Sequence, residues 1–369
     1  MSVENIAAHA LKFLIKLVYR FNRNKAVEDD LILFLSRQSS EINLDFRMIS
    51  EELDRRGSYR KVFICSRQDD SGWKFLRDNL KSVRWFARCK VCILDSYSIP
   101  VCLLKHKKEQ TVIQIWHAIG KIKKSGYQTL DTASGRSSDM ARILKMHKNY
   151  DYIIAGGKAW NQAYCLSFNT TEDKLLNYGL PRIDHLLASA EGNRQKVLKA
   201  YPQFADKEVL LYAPTFRKGW DLDWEPLAEA IDYSRYALVV KAHPNQKLTV
   251  DREGCYLCEE FKSIDLLSVA SYLITDYSAI AVEGAALGCR TYYYIYDKEK
   301  YMANNGLNLD IEEEMPHCAF RDARQLADAI ASDDYPMEEF RQYQNKFLPE
   351  DLGHATANIV DLIEERLKL

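Results

Sequence analysis

Short apolar runs recur along this chain, each about long enough for one strand, with helix-length segments between them. In the first half they are KVFICS (61–66), CILD (92–95), TVIQIW (111–116) and YDYIIAG (150–156). In the second they are VLLYAP (209–214), YALVVKA (236–242), SYLITD (271–276) and TYYYIYD (291–297). Stretches such as SGWKFLRDNLK, EPLAEAI, SIDLLSVA and AIAVEGAALG fill the gaps and read as helices. A strand–helix–strand crossover joins parallel neighbours, so the alternation predicts an α/β fold with helices on both faces of parallel sheets. At 369 residues the chain is long for a single core. The break falls near 182–196, where GLPRIDHLL gives way to the polar ASAEGNRQ. The expected division is a helix over 1–28, one α/β domain over 29–188 and a second over 189–369. Ligands of such sheets bind beyond the carboxyl ends of the strands, so strand-end residues are the candidates for function.

Bulk properties remove some alternatives. A hydrophobic content of 47% with 28% charged residues is globular. The formal net charge of -1 offers no global basic field, so no nucleic acid is expected as partner and anions must be met by local clusters. Nine cysteines, an odd number, with no secretory signal at the start, predict reduced cytosolic thiols. Cys89–Cys92 and Cys255–Cys258 have C-x-x-C spacing, but no further cysteine or histidine stands at zinc-finger spacing from either pair. No metal site is assigned.

In MSVENIAAHALKFLIKLVYRFNRNK the residues Val3, Ile6, Ala7, Ala10, Phe13, Leu14, Leu17 and Phe21 recur at helical spacing. Lys12, Lys16, Arg20 and Arg23 line the other side. This is an amphipathic helix with a basic face, too often interrupted by charge to span a bilayer. It either lies on an anionic membrane surface or packs its stripe on the domain core.

Two strands end in a histidine with lysine nearby. QIWHAIGKIKKSG (114–126) carries His117 followed by Lys121, Lys123 and Lys124, and LVVKAHP (238–244) carries Lys241 and His243. Lys241 and His243 are two apart and share a strand face. At other strand ends stand Thr215 and Arg217 in LYAPTFRKG, and Thr275, Asp276 and Ser278 in LITDYSAIAVEGAALG. Ser278 precedes a helix, whose free N–H groups attract phosphate. GLPRID adds Arg182 and Asp184. Histidines, an arginine, lysines and a helix N-terminus together suit a diphosphate substrate and a reaction at phosphorus.

The ordered set WHA-x-G-x-x-KK-x-G, GLPRID, LYAPTFR, KAHP and TDYSA, then an apolar helix and YYYIYD, resembles the CDP-glycerol glycerophosphotransferases of teichoic-acid synthesis over roughly residues 110–310. The resemblance implies the GT-B fold, two Rossmann-like domains facing a central cleft. It implies transfer of polyol phosphate, glycerol or ribitol, from a CDP-polyol to a lipid-linked acceptor at the inner membrane face, with release of CMP. His117 and His243 fall on the family's two essential histidines. The implied partners are a CDP-polyol donor, a polyprenyl-diphosphate-linked acceptor and an anionic membrane surface, with a homo-oligomer left open.

The chemistry of the residues agrees. Phosphoryl transfer needs an activated hydroxyl, stabilisation of charge on the moving phosphate and help for the leaving group. His117 is assigned as general base. His243 with Arg217 and the Ser278 helix end would hold the donor phosphates and assist departing CMP. KHKK (105–108) and KIKK (121–124) are candidates for an acceptor diphosphate or are solvated surface. No obligatory cofactor is expected, and a loosely bound magnesium is compatible with the reading. The competing readings are a nucleotide-sugar glycosyltransferase on the same architecture and a non-catalytic membrane scaffold.

Overall fold

The computed structural model describes residues 3–67, 72–133, 135–217, 219–242, 246 and 248–369. His243 therefore lies outside the described residues. The chain forms two compact units: residues 1–119, 124–184 and 349–369 make unit 1, and residues 120–123 and 185–348 make unit 2.

Unit 1 is built on a parallel sheet in the order β2-β1-β3-β4-β5-β6. Its strands are β1 (Glu28–Ser36), β2 (Arg60–Cys65), β3 (Cys89–Leu94), β4 (Thr111–Gln114), β5 (Tyr152–Ile154) and β6 (Leu175–Leu176). β1 and β3 lie inside the sheet, and every residue from Leu31 to Phe34 and from Val91 to Leu94 is almost wholly buried. Strands covered on both faces read as continuous apolar runs, which is what LILF and VCIL are. Helices α1 (Val3–Asn22), α2 (Leu44–Arg56) and α3 (Gly72–Phe86) cover this sheet with others further along.

Unit 2 carries a second parallel sheet in the order β12-β11-β10-β7-β8-β9. It comprises β7 (Glu208–Tyr212), β8 (Tyr236–Val240), β9 (Cys255–Tyr256), β10 (Ala270–Thr275), β11 (Arg290–Tyr294) and β12 (Ala319–Phe320). Leu211, Val239 and Leu273 of three adjacent strands share a core with Leu186, Val197, Leu266 and Ile280 from the helices.

The expected α/β class with parallel sheets is what the chain adopts. The expected division by sequence differs in three places. The 1–28 helix is not separate, because α1 packs on α3 and on the helix Ser138–Ile143 within unit 1. The last 21 residues, expected in the second domain, return to unit 1 as residues 349–369. The cause is the helix Ala355–Lys368, which buries Ile359, Val360, Leu362 and Ile363 while packing on α2, β1 and β3. Residues 120–123 leave unit 1 for unit 2, where Lys123 bridges Leu307 and Asn308 donates its amide to the Lys121 and Lys123 carbonyls at 2.9 and 3.2 Å.

Candidate active site

Unit 1 collects polar groups where β1, β3 and β4 end. Ser36 closes β1, Asp95 and Ser96 follow β3, and Gln114 closes β4. The buried Asp95 carboxylate accepts from Ser36 Oγ at 2.6 Å, Asn43 Nδ2 at 2.7 Å and Ser96 Oγ at 2.7 Å. Burial outweighs these donors and pushes its pKa up to about 6. His117, three residues beyond β4, is half-buried. Its Nδ1 lies 3.1 Å from the backbone carbonyl oxygen of Asp95. A carbonyl oxygen can only accept, so this contact keeps the hydrogen on Nδ1 and the basic lone pair on Nε2.

The loop around His117 is held in an unusual conformation. Trp116 has φ 60°, a left-handed value that costs a bulky residue on the order of 1–2 kcal/mol. Its amide donates to Gln114 Oε1 at 2.9 Å, and its ring lies 4.1 Å from the His117 ring and 5.1 Å from Phe168. Gly156, just past β5, lets the loop approach: a Cβ there would sit 2.3 Å from the Ile119 carbonyl oxygen. Near Asp95, at the end of β1, Arg37 has its pKa lowered by burial and by the Arg136 guanidinium. Among the described residues neither arginine has a carboxylate partner.

The strand ends of unit 2 converge on Arg217. This fully buried guanidinium reaches Asp276 at 2.8 Å, Asp297 at 2.7 and 3.0 Å, and the Thr215 carbonyl at 2.8 Å. The rings of Tyr277, Tyr296 and Tyr301 surround it at 5.5, 5.9 and 5.2 Å. Burial lowers its pKa, and the two carboxylates more than offset that. Asp276 also accepts the Thr215 amide at 2.9 and 3.0 Å. The Thr215 hydroxyl is buried and has no partner among the described residues. Lys123 lies over Tyr301 at 6.0 Å. Burial brings its pKa down to about 8, with Asp276 raising it and Arg217 lowering it.

The remaining residues expected at the site are placed as follows. Arg182 donates its amide and its Nε to Asp45 at 2.9 Å, tying the helix Pro181–Ala200 to α2. Asp184 accepts from the Ala355 amide at 3.2 Å and from the Thr356 amide and hydroxyl at 2.7 and 2.6 Å, which caps the C-terminal helix. Thr275 gives its hydroxyl to the Ala213 carbonyl at 2.7 Å. Lys241 Nζ donates to the carbonyls of Cys258 and Leu257 at 2.9 and 3.4 Å. Ser278 Oγ accepts from the Ile280 amide at 3.5 Å. The lysines expected to act as one patch are split: Lys121 is buried and has its pKa held well below the usual range by burial, Lys123 is partly buried, and Lys124 is exposed. Asp95 and Asp297 were not among the expected site residues. Each ends an apolar strand run, CILD and TYYYIYD, the same signal that marked Asp276.

Residues 17–365 match the family described as CDP-glycerol:poly(glycerophosphate) glycerophosphotransferase. The teichoic acid ribitol-phosphate primase of Bacillus spizizenii is 28% identical over 360 residues, covering 92% of each chain. The teichoic acid glycerol-phosphate primase of Bacillus subtilis is 27% identical over 297 residues, 77% of this chain and 76% of its own. The solved structure of the wall teichoic acid polymerase TagF aligns with TM-score 0.76 at 19% identity, over 99% of this chain and 96% of its own. That last likeness is one of fold.

Proposed function

The chain belongs to the CDP-glycerol:poly(glycerophosphate) glycerophosphotransferase family, and on that premise we propose that it is a transferase of polyol phosphate in teichoic-acid synthesis. Glycerol phosphate or ribitol phosphate is taken from a CDP-polyol, passed to a lipid-linked acceptor, and CMP is released. The observation that carries this reading is the match to polyol-phosphate primases, 92% of this chain against 92% of the ribitol-phosphate primase.

In the proposed reaction the acceptor hydroxyl gives its proton to Nε2 of His117. Its oxygen bonds to the phosphorus that bears the polyol. The bond from that phosphorus to the CMP oxygen breaks, and the electron pair leaves with CMP. His243 keeps its expected role of stabilising or protonating the departing CMP. The donor diphosphate is assigned to Lys123 and the Thr215 hydroxyl, which has no partner among the described residues, and Arg217 positions the strand ends that carry them. The acceptor diphosphate is assigned to unit 1, where Arg37 and Arg136 have no acidic partner among the described residues and Lys124 is exposed. The facing, GT-B arrangement of the two units and peripheral attachment to the inner membrane face are part of the same proposal. Among the described residues no helix is long and apolar enough to cross a membrane.

The test is incubation of the purified full chain with labelled CDP-glycerol, CDP-ribitol and nucleotide sugars. Release of CMP from a CDP-polyol supports the reading. Turnover of a nucleotide sugar instead assigns a glycosyltransferase, and no turnover with any donor leaves the scaffold reading.

A further inference from the structure

Helix α1 presents two different apolar faces. Ala8 and Ile15 point into unit 1, and Tyr19 gives its hydroxyl to the Lys105 carbonyl at 2.9 Å, so the helix is fastened along one side. A second stripe, Ile6, Phe13, Leu14, Leu17 and Phe21, stays in solvent, with Phe13 65% and Phe21 76% exposed. At 100° per residue these five fall within one sector of about 100°, and His9, Lys16 and Arg20 fall beside it. A helix that packs one face and leaves large aromatics uncovered on another has a surface still to be filled.

The neighbouring helix α3 shows matching chemistry. Trp73 is 84% exposed, and Arg77, Lys81 and Arg84 share its side of the helix. An open cavity of about 530 Å³ is lined by Lys25, just beyond α1, and by Arg77, Lys81, Arg84, Trp85 and Arg88 of α3 and its end. Arg77 pairs with Asp78 at 3.2 Å and Arg88 pairs with Glu28. Lys25, Lys81 and Arg84 have no carboxylate partner among the described residues. A cavity with three uncompensated cations and an indole on its wall suits a phosphate monoanion or diester, with the indole at the depth where a headgroup meets acyl chain.

We propose that this cavity binds the phosphate headgroup of an anionic phospholipid while the Phe13–Phe21 stripe of α1 enters the acyl boundary. The inference deepens the peripheral-attachment part of the proposed function and does not depend on the transfer chemistry. Charge complementarity selects the occupant. A second protein would need only an apolar face to cover the stripe, whereas the adjoining cationic cavity requires phosphate density next to hydrocarbon, which a bilayer surface supplies.

The test uses the full chain with sedimentable vesicles of phosphatidylcholine alone and of phosphatidylcholine with phosphatidylglycerol in equal parts. Wild type should bind the anionic vesicles, more weakly as salt rises, and bind neutral vesicles poorly. The double variant Lys81→Gln/Arg84→Gln should lose about 10–30-fold in affinity for the anionic vesicles, the effect of about 1 kcal/mol for each basic residue removed. Phe13→Ser/Phe21→Ser should lose binding as well. Both variants change exposed residues, and an unaltered thermal transition checks that they fold. Calorimetric titration with inorganic phosphate separates the sources: saturable phosphate binding together with vesicle binding indifferent to Lys81→Gln/Arg84→Gln would overturn the proposal in favour of a soluble ligand. Equal binding of wild type to neutral and anionic vesicles would overturn it too. CMP release on a soluble acceptor analogue should be the same in wild type and both variants, and a wild type that releases CMP but fails to bind anionic vesicles rejects the cavity and leaves the enzyme reading standing.

Discussion

The ring of His117 leans on the backbone of Asp95: Nδ1 stands 3.1 Å from the Asp95 carbonyl oxygen, while the Asp95 carboxylate is held by Ser36, Asn43 and Ser96. Orientation of the proposed base is therefore set by the ends of β1 and β3, not by its own loop alone. The carboxylate tells on pH. With its pKa raised to about 6 by burial, the folded protein binds a proton that the unfolded chain has already released. Its contribution to stability is fully present below about pH 4 and is lost as pH rises through about 6. Thermal melts of wild type and Asp95→Asn across pH 4 to 7 should show the wild type declining relative to the variant over that interval. Parallel curves would mean that Asp95 is ionised throughout.

Gly156→Ala offers a way to disturb the base without touching it. The added Cβ meets the Ile119 carbonyl, a backbone atom that cannot swing aside, so the 116–119 loop must shift. We expect kcat to fall by roughly 10–100-fold while donor affinity is retained, since a displacement of about 1 Å at a reacting group costs on that order. Kinetics of the variant with saturating donor would settle it, and an unchanged kcat would show that the loop tolerates the shift.

Arg217→Ala should act on folding before it acts on kinetics. Removing the guanidinium leaves the buried Asp276 and Asp297 without their shared cation, a loss of about 3–5 kcal/mol for a broken buried pair. Urea unfolding followed by tyrosine and tryptophan fluorescence should show the loss in unit 2. Arg217→Lys should restore little, because one ammonium cannot serve both carboxylates and the Thr215 carbonyl. A stable Arg217→Ala protein with weakened donor binding would return Arg217 to direct contact with phosphate.

The motif GLPRID separates into two structural effects. Arg182→Ala takes the guanidinium from the buried Asp45, leaving it the backbone amide of residue 182, and is expected to cost about 3–5 kcal/mol. Asp184→Ala removes a helix cap, a loss of about 1–2 kcal/mol. Chemical denaturation of both variants should rank them in that order. Substrate affinities that fall while stabilities hold would instead place these residues at the ligand.

Much of the fold was legible because buried parallel strands are written as uninterrupted apolar runs, and eight such runs became β2 to β5, β7, β8, β10 and β11. β1 escaped notice although DLILFLS is equally apolar, since it follows the amphipathic helix directly and no strand precedes that helix to set up the alternation. The return of the C-terminal helix to unit 1 has no local signature: it depends on Ile359, Val360 and Ile363 meeting α2 and β3 across nearly the whole chain. At the strand ends, residue type and position singled out His117, Thr215, Arg217 and Asp276, and the structure places each of them just beyond a strand. Type and position did not reveal that Arg217 is enclosed by carboxylates or that Lys121 and Lys123 belong to unit 2 while Lys124 stays in unit 1. Sequence spacing records which residues reach a strand end, and burial decides which of them remain available to a ligand.

Lys123 gives the donor site its own pH signature. Its pKa of about 8 means that above this pH the amine is neutral in the free protein, and binding a diphosphate must then draw in a proton. Donor affinity should fall as pH rises past about 8, with proton uptake visible as a buffer-dependent enthalpy, and Lys123→Gln should bind more weakly with a flat profile. A wild-type affinity independent of pH from 7 to 9 would remove Lys123 from the donor.

The central claim is that His117 removes the acceptor proton in polyol-phosphate transfer. The most direct measurement is CMP released from CDP-glycerol and CDP-ribitol by the full chain and by His117→Asn, with donor affinity measured separately by calorimetry. The account expects wild type to release CMP only when acceptor is present. It expects His117→Asn to lower kcat by roughly 100–10,000-fold with donor affinity nearly unchanged, the usual range for a lost proton-transfer group. Full turnover by His117→Asn, or a folded variant unable to bind donor, would contradict it.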